Sequence, residues 1–102
     1  MSGEVCRRPV TIKNPQGLHL RPATAFVQCA EKFPGTVTVT KGQQQVNGKS
    51  LWDLLLLAAE QGSELVVEVS GENAASTLEA LAEVLAASSP EGPAGSAVMQ
   101  GQ

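Results

Sequence analysis

The chain has 102 residues, 42% of them hydrophobic, and a formal net charge of -3, which suits one small domain around a single core. Its only aromatic residues are Phe26, Phe33 and Trp52, so it lacks both the basic face and the stacking platforms of a nucleic-acid binder. The longest strongly apolar run, residues 54–59, is too short to cross a bilayer, and the N-terminus shows no apolar signal segment. The expected location is therefore the cytoplasm, without membrane insertion. There Cys6 and Cys29 should stay reduced, Cys29 as a core residue and Cys6 as an incidental one. Two separated cysteines and one histidine do not have the clustered spacing of a zinc site, and neither a metal nor a cofactor is expected.

In chain order, the β-branched character of residues 7–12 predicts a first strand, followed by a loop over 13–17. From Pro22 the spacing of Ala23, Phe26, Val27, Ala30 and Phe33 marks one face of an amphipathic helix. Proline is tolerated in a first helical turn, and "FPG" at 33–35 ends the helix. "TVTVTK" at 36–41 alternates with the period of a strand, and "QQVNG" returns as the second arm of a hairpin. Residues 50–62 read as a short helix ended by Gly62, with the leucines at 54 and 57 facing the core. A fourth strand covers 63–71, and a last helix follows with Leu78, Leu81, Ala82 and Leu85 on its buried stripe.

The order β-α-β-β-α-β-α predicts an α+β domain over residues 1–88, an antiparallel sheet covered on one face by helices. Residues 89–102, rich in Gly, Pro and Ser, read as a disordered tail.

His19 is the only histidine, and it falls at or just before a predicted helix start. Free backbone N–H groups and the positive end of the helix dipole favour an anion there and disfavour imidazolium. Arg21 adds a permanent cation whose planar fork fits phosphate oxygens, and Gly17 permits a tight turn beside the imidazole. A neutral imidazole, free N–H groups and an arginine together make a receptor for a phosphoryl group on nitrogen. The sequence shows no paired carboxylates and no Gly-rich nucleotide loop, which points to a carrier rather than a complete enzyme. From the residues alone, a histidine at a helix start is more often a capping or solvated side chain, and phosphoryl transfer is the minority reading.

"GLHLRPA" with Asn14 before it, the helix "TAFVQCAEKF" and the later "VNGKS" closely resemble the HPr family, in order over about residues 8–87. These are the histidine-containing phosphocarrier proteins of the bacterial phosphoenolpyruvate:sugar phosphotransferase system. The resemblance implies that family's open-faced β-sandwich. It implies that His19 takes a phosphoryl group on Nδ1 from phosphorylated enzyme I and passes it to a IIA component. Arg21 would stabilise the transferring phosphate, and Leu20, Pro22 and Ala23 would form the helix start that cradles it. Leu20 occupies a variable position of the motif. Such a carrier is not a stand-alone enzyme, and a monomer suits docking with two partners in turn.

Ser50 matches the family's regulatory serine, the substrate of HPr kinase/phosphorylase, yet "SLWD" is also a capping box with Ser50 at the N-cap and Asp53 at N3. By the resemblance, Leu51, Trp52 and Leu55 form the docking patch for enzyme I and IIA, with Trp52 as anchor or alternatively as core. Asp53 and Ala58 stand where the family commonly has glycine, and Leu56 where it has a smaller or polar residue. The alternative function is a regulatory interaction protein controlled by phosphorylation at Ser50 or His19 without sugar transport. A structural module with a solvated histidine is the third.

Overall fold

The computed structural model describes residues 4–86. It contains β1 (Glu4–Thr11), α1 (Leu20–Glu31), β2 (Thr36–Lys41), β3 (Gln44–Asn47), α2 (Leu51–Leu56), β4 (Glu64–Gly71) and α3 (Ala74–Ala86). The four strands form one antiparallel sheet in the order β1-β4-β2-β3. Alternation in β2 and β4 sends Val37, Val39, Leu65, Val67 and Val69 to the helix-covered face, where all are buried. Phe26, Leu54, Leu57, Leu78 and Leu81 meet them from the helices, and the opposite sheet face is left open. Burial of a side chain such as Phe26, wholly inaccessible here, contributes roughly 2–3 kcal/mol. The expected α+β open-faced sandwich is the observed one.

Several boundaries differ from the sequence reading, and three of them bear on the sheet edge and the site. Strand β1 reaches back at least to Glu4 rather than beginning at residue 7, because its backbone pairs with β4 as far as Glu4 opposite Gly71. Pro9 is accommodated because β1 is an edge strand. Helix α1 starts at Leu20, two residues before Pro22, since the His19 carbonyl already accepts the Ala23 N–H at 3.0 Å.

The third difference is the largest. Helix α2 ends at Leu56, not near Gly62. Leu57 closes it, and Ala58 turns to a φ of 52°, the left-handed region that terminates a helix. The ammonium of Lys41, from the end of β2, donates to the carbonyls of Leu57 at 3.2 Å and Ala58 at 3.4 Å. A left-handed alanine costs about 1–2 kcal/mol, of which glycine would avoid most while losing about 0.5–1 kcal/mol to chain entropy. Ala58→Gly is therefore expected to raise stability by up to about 1 kcal/mol, read from denaturant unfolding. A loss of stability would show that Ala58 carries no strain.

Helix α3 runs at least from Ala74 to Ala86, preceded by Asn73 at a φ of 63°. The expected helix end near Ser88 and the tail over 89–102 lie outside the described residues. Among those residues no helix is long and apolar enough to cross a membrane.

Candidate functional site

The loop before α1 is built by short-range bonds. Asn14, the buried polar residue of the described chain, accepts the Gln16 N–H on Oδ1 at 2.9 Å and the Gly17 N–H on its carbonyl at 2.8 Å. Gly17 follows at a φ of 74°, tight against the residue after Ala58. A Cβ at Gly17 would stand 2.5 Å from the Ala59 carbonyl oxygen. That same oxygen accepts the Leu18 N–H at 2.8 Å, while Leu18 itself is buried. The loop is thus tied to the chain leaving α2 one residue before His19.

His19 is the N-cap residue of α1, with extended backbone (φ -105°, ψ -167°), and its side chain makes no capping bond. This removes the reading of His19 as a side-chain cap. The ring is half-buried, with Nε2 enclosed and lacking a hydrogen-bond partner among the described residues. With Nε2 shut off, Nδ1 is the ring nitrogen that a reagent from solution can reach. In the neutral tautomer protonated on Nε2, Nδ1 carries the lone pair.

The helix start offers fewer donors than the sequence indicated. Pro22 has no N–H, and the Ala23 N–H is engaged by the His19 carbonyl. Neither can donate to an anion, so the available backbone donors are the N–H groups of Leu20 and Arg21, which make no bond among the described residues. Pro22 and Ala23 act as shape, and Ala23 as a buried contact of α1 with the core. The first turn holds no acidic side chain, leaving the positive end of the helix uncompensated. Arg21 is exposed and forms no salt bridge among the described residues. His19, Leu20 and Arg21 line a shallow depression with Thr24, Ala25 and Gln28. Thr24, Ala25 and Gln28 were not among the residues singled out in the sequence. They follow from helical spacing once α1 is known to start at Leu20.

Ser50 is the N-cap of α2, its Oγ accepting the Asp53 N–H at 3.3 Å. The expected capping box is only half formed. The Asp53 carboxylate accepts from Asn47 N–H at 3.4 Å, and Ser50 N–H goes to the Asn47 carbonyl. The Lys49 ammonium donates to the Phe33 carbonyl at 2.6 Å.

On α2, Leu54 and Leu57 are buried as expected, and Leu51 and Leu55 are half-buried against the core. Trp52 is 74% exposed, so it is not a core residue. Leu56, one helical turn on and 69% exposed, shares its side of the helix and was missed as a surface residue. Leu20 at the start of α1 is exposed as well. Among the described residues no three His, Cys, Asp or Glu side chains cluster as metal ligands, and Cys6 and Cys29 are free thiols.

Residues 6–87 match the family model described as "PTS HPr component phosphorylation site". The chain belongs to the HPr family. It is 37% identical over 79 residues to the phosphocarrier protein HPr of Neisseria meningitidis serogroup A, covering 78% of this chain and 89% of the relative. The phosphocarrier protein HPr from Bacillus anthracis superimposes with a TM-score of 0.75 at 33% identity, covering 79% of this chain and 96% of that one. An HPr dimer from Thermoanaerobacter tengcongensis gives a TM-score of 0.59 at 38% identity, covering 71% and 83%.

Proposed function

We propose that this HPr-family protein carries a phosphoryl group on Nδ1 of His19, accepting it from phosphorylated enzyme I and delivering it to a IIA-type acceptor. The single observation behind the choice of atom is the burial of Nε2, which leaves Nδ1 as the reachable nitrogen. In the forward step the Nδ1 lone pair attacks phosphorus in line while the donor's bond to phosphorus breaks. In the second step an acceptor nucleophile attacks and the Nδ1–P bond breaks. The N–H groups of Leu20 and Arg21 and the Arg21 guanidinium face the charge on the equatorial oxygens. The chain contributes the relay atom and the cradle, and its partners contribute the rest, so it is a carrier and not a stand-alone enzyme. A monomer working in the cytoplasm serves this exchange.

The test is incubation with phosphoenolpyruvate and purified enzyme I, followed by intact-protein mass spectrometry. One acid-labile phosphoryl adduct is expected. A folded protein that takes up none from a cognate enzyme I would contradict the proposal.

Two surface substitutions probe the parts separately. Arg21→Ala should slow acceptance by about 100–1,000-fold, the scale of losing a charge-stabilising donor. Because Arg21 is exposed, its stability should change by no more than about 0.5 kcal/mol. Parallel loss of rate and stability would make Arg21 structural. Trp52→Ala should weaken enzyme I binding by about tenfold or more, as interface tryptophans do, with an unchanged melting temperature. Unchanged affinity in a titration would remove Trp52 from the docking surface.

A further inference from the structure

From the contacts of Lys41 we infer that it is a positioning residue for His19, acting through the turn that ends α2. The inference rests on the carrier reading for its consequence but on separate contacts for its geometry. The last turn of α2 contains no basic side chain, so the cation at that helix end comes from the strand β2, 16 residues earlier in sequence than Leu57. Lys41 is half-buried, and its Nζ bridges the carbonyls of Leu57 and Ala58. The Leu57 carbonyl is one that a helix terminus leaves without an intrahelical donor, and the Ala58 carbonyl lies one residue beyond it.

Ala58 is the residue that needs holding. It is a non-glycine residue in the left-handed region, and its carbonyl is one of the two that Lys41 grips. The next residue, Ala59, is buried and aims its carbonyl at the Leu18 N–H, while Gly17 packs against the same oxygen. His19 follows directly. A chain of contacts therefore runs from the Lys41 ammonium to the Ala58 turn, to the Ala59 carbonyl, to residues 17 and 18, and to the N-cap of α1. A shift in Ala59 moves the loop that sets where the imidazole stands relative to the Leu20 and Arg21 N–H groups.

The experiment compares wild type, Lys41→Met, Lys41→Arg and the double variant Lys41→Met/Ala58→Gly. Two readouts are needed: amide hydrogen exchange at Leu18 relative to Val67 in the central strand β4, and the initial rate of phosphoryl acceptance well below the melting temperature. In Lys41→Met, exchange at Leu18 should accelerate at least tenfold more than at Val67, and acceptance should slow several-fold. Lys41→Arg should recover part of both. Ala58→Gly in the Met background should recover them further, because glycine takes the left-handed turn without being held. Equal acceleration at Leu18 and Val67 would mean that Lys41 contributes only to global stability, and the inference would fall. A selective Leu18 effect with an unchanged acceptance rate would overturn it too, since the turn would then not reach His19. If wild type accepts no phosphoryl group, the carrier reading fails by itself, and the exchange ratio still decides whether Lys41 holds the loop.

Discussion

Replacing His19 with alanine should abolish phosphoryl acceptance completely while leaving the fold intact. No second histidine exists to take over the role. The side chain makes no capping bond, and its buried Nε2 has no partner among the described residues, so its removal breaks no hydrogen bond there. The backbone contributions of residue 19 survive: its carbonyl still receives the Ala23 N–H, and its N–H still faces the Gly17 carbonyl at 3.1 Å. Stability should therefore change by about 1 kcal/mol or less, since the half-buried ring loses some packing but no hydrogen bond. Intact mass after enzyme I treatment and a thermal melt of the same sample measure both. An adduct on the alanine variant would mean that the group rides on another residue.

The second large effect concerns Gly17. Gly17→Ala places a methyl 2.5 Å from the Ala59 carbonyl oxygen and 3.1 Å from Glu60 Cα, and both are backbone atoms that cannot swing aside. The residue must also hold a φ of 74°, which costs about 1–2 kcal/mol for a residue with a side chain. Steric displacement adds about 1–3 kcal/mol, for a total of about 2–5 kcal/mol. The Leu18–Ala59 bond is lost as the loop moves, and the imidazole moves with it. A misplacement of about 1 Å at a reacting atom can cost on the order of a hundredfold in rate. Acceptance by the fraction still folded should fall by that order.

Gly42→Ala is the control, with a φ of 61° and no atom within 4 Å of its added Cβ. It should cost only the backbone strain, about 1–2 kcal/mol, and leave acceptance unchanged. Equal effects of the two substitutions, measured by denaturant unfolding and acceptance rate, would show that the Ala59 carbonyl does not confine the loop.

The parts of this site that local sequence carries were legible. Period-two alternation in "TVTVTK" and the stripe of Ala23, Phe26 and Ala30 gave β2 and α1, because each pattern reports a single exposed or buried face. The placement of His19 at a helix start followed from Pro22 and the apolar stripe. What stayed hidden depends on partners distant in sequence. The turn that ends α2 is contacted by Lys41 and followed by the Ala59–Leu18 bond, and nothing within residues 50–62 announces either. The start of β1 depends on pairing with β4, more than 60 residues away. In "LLLL" at 54–57 the sequence reading places Leu54 and Leu57 toward the core, but the uniform chemistry gives no sign that Leu56 stands exposed on the side of Trp52. Which imidazole nitrogen is enclosed is likewise a matter of packing.

That nitrogen is the most direct test of the account. The phosphorylated protein, prepared with enzyme I and labelled with nitrogen-15, can be examined at alkaline pH by long-range proton–nitrogen correlation of the imidazole ring. Phosphorus coupling and the shift of substitution should fall on Nδ1 of His19, with Nε2 unsubstituted. A phosphoryl group on Nε2, or an imidazole unchanged in a protein that has gained phosphate, would contradict the site described here.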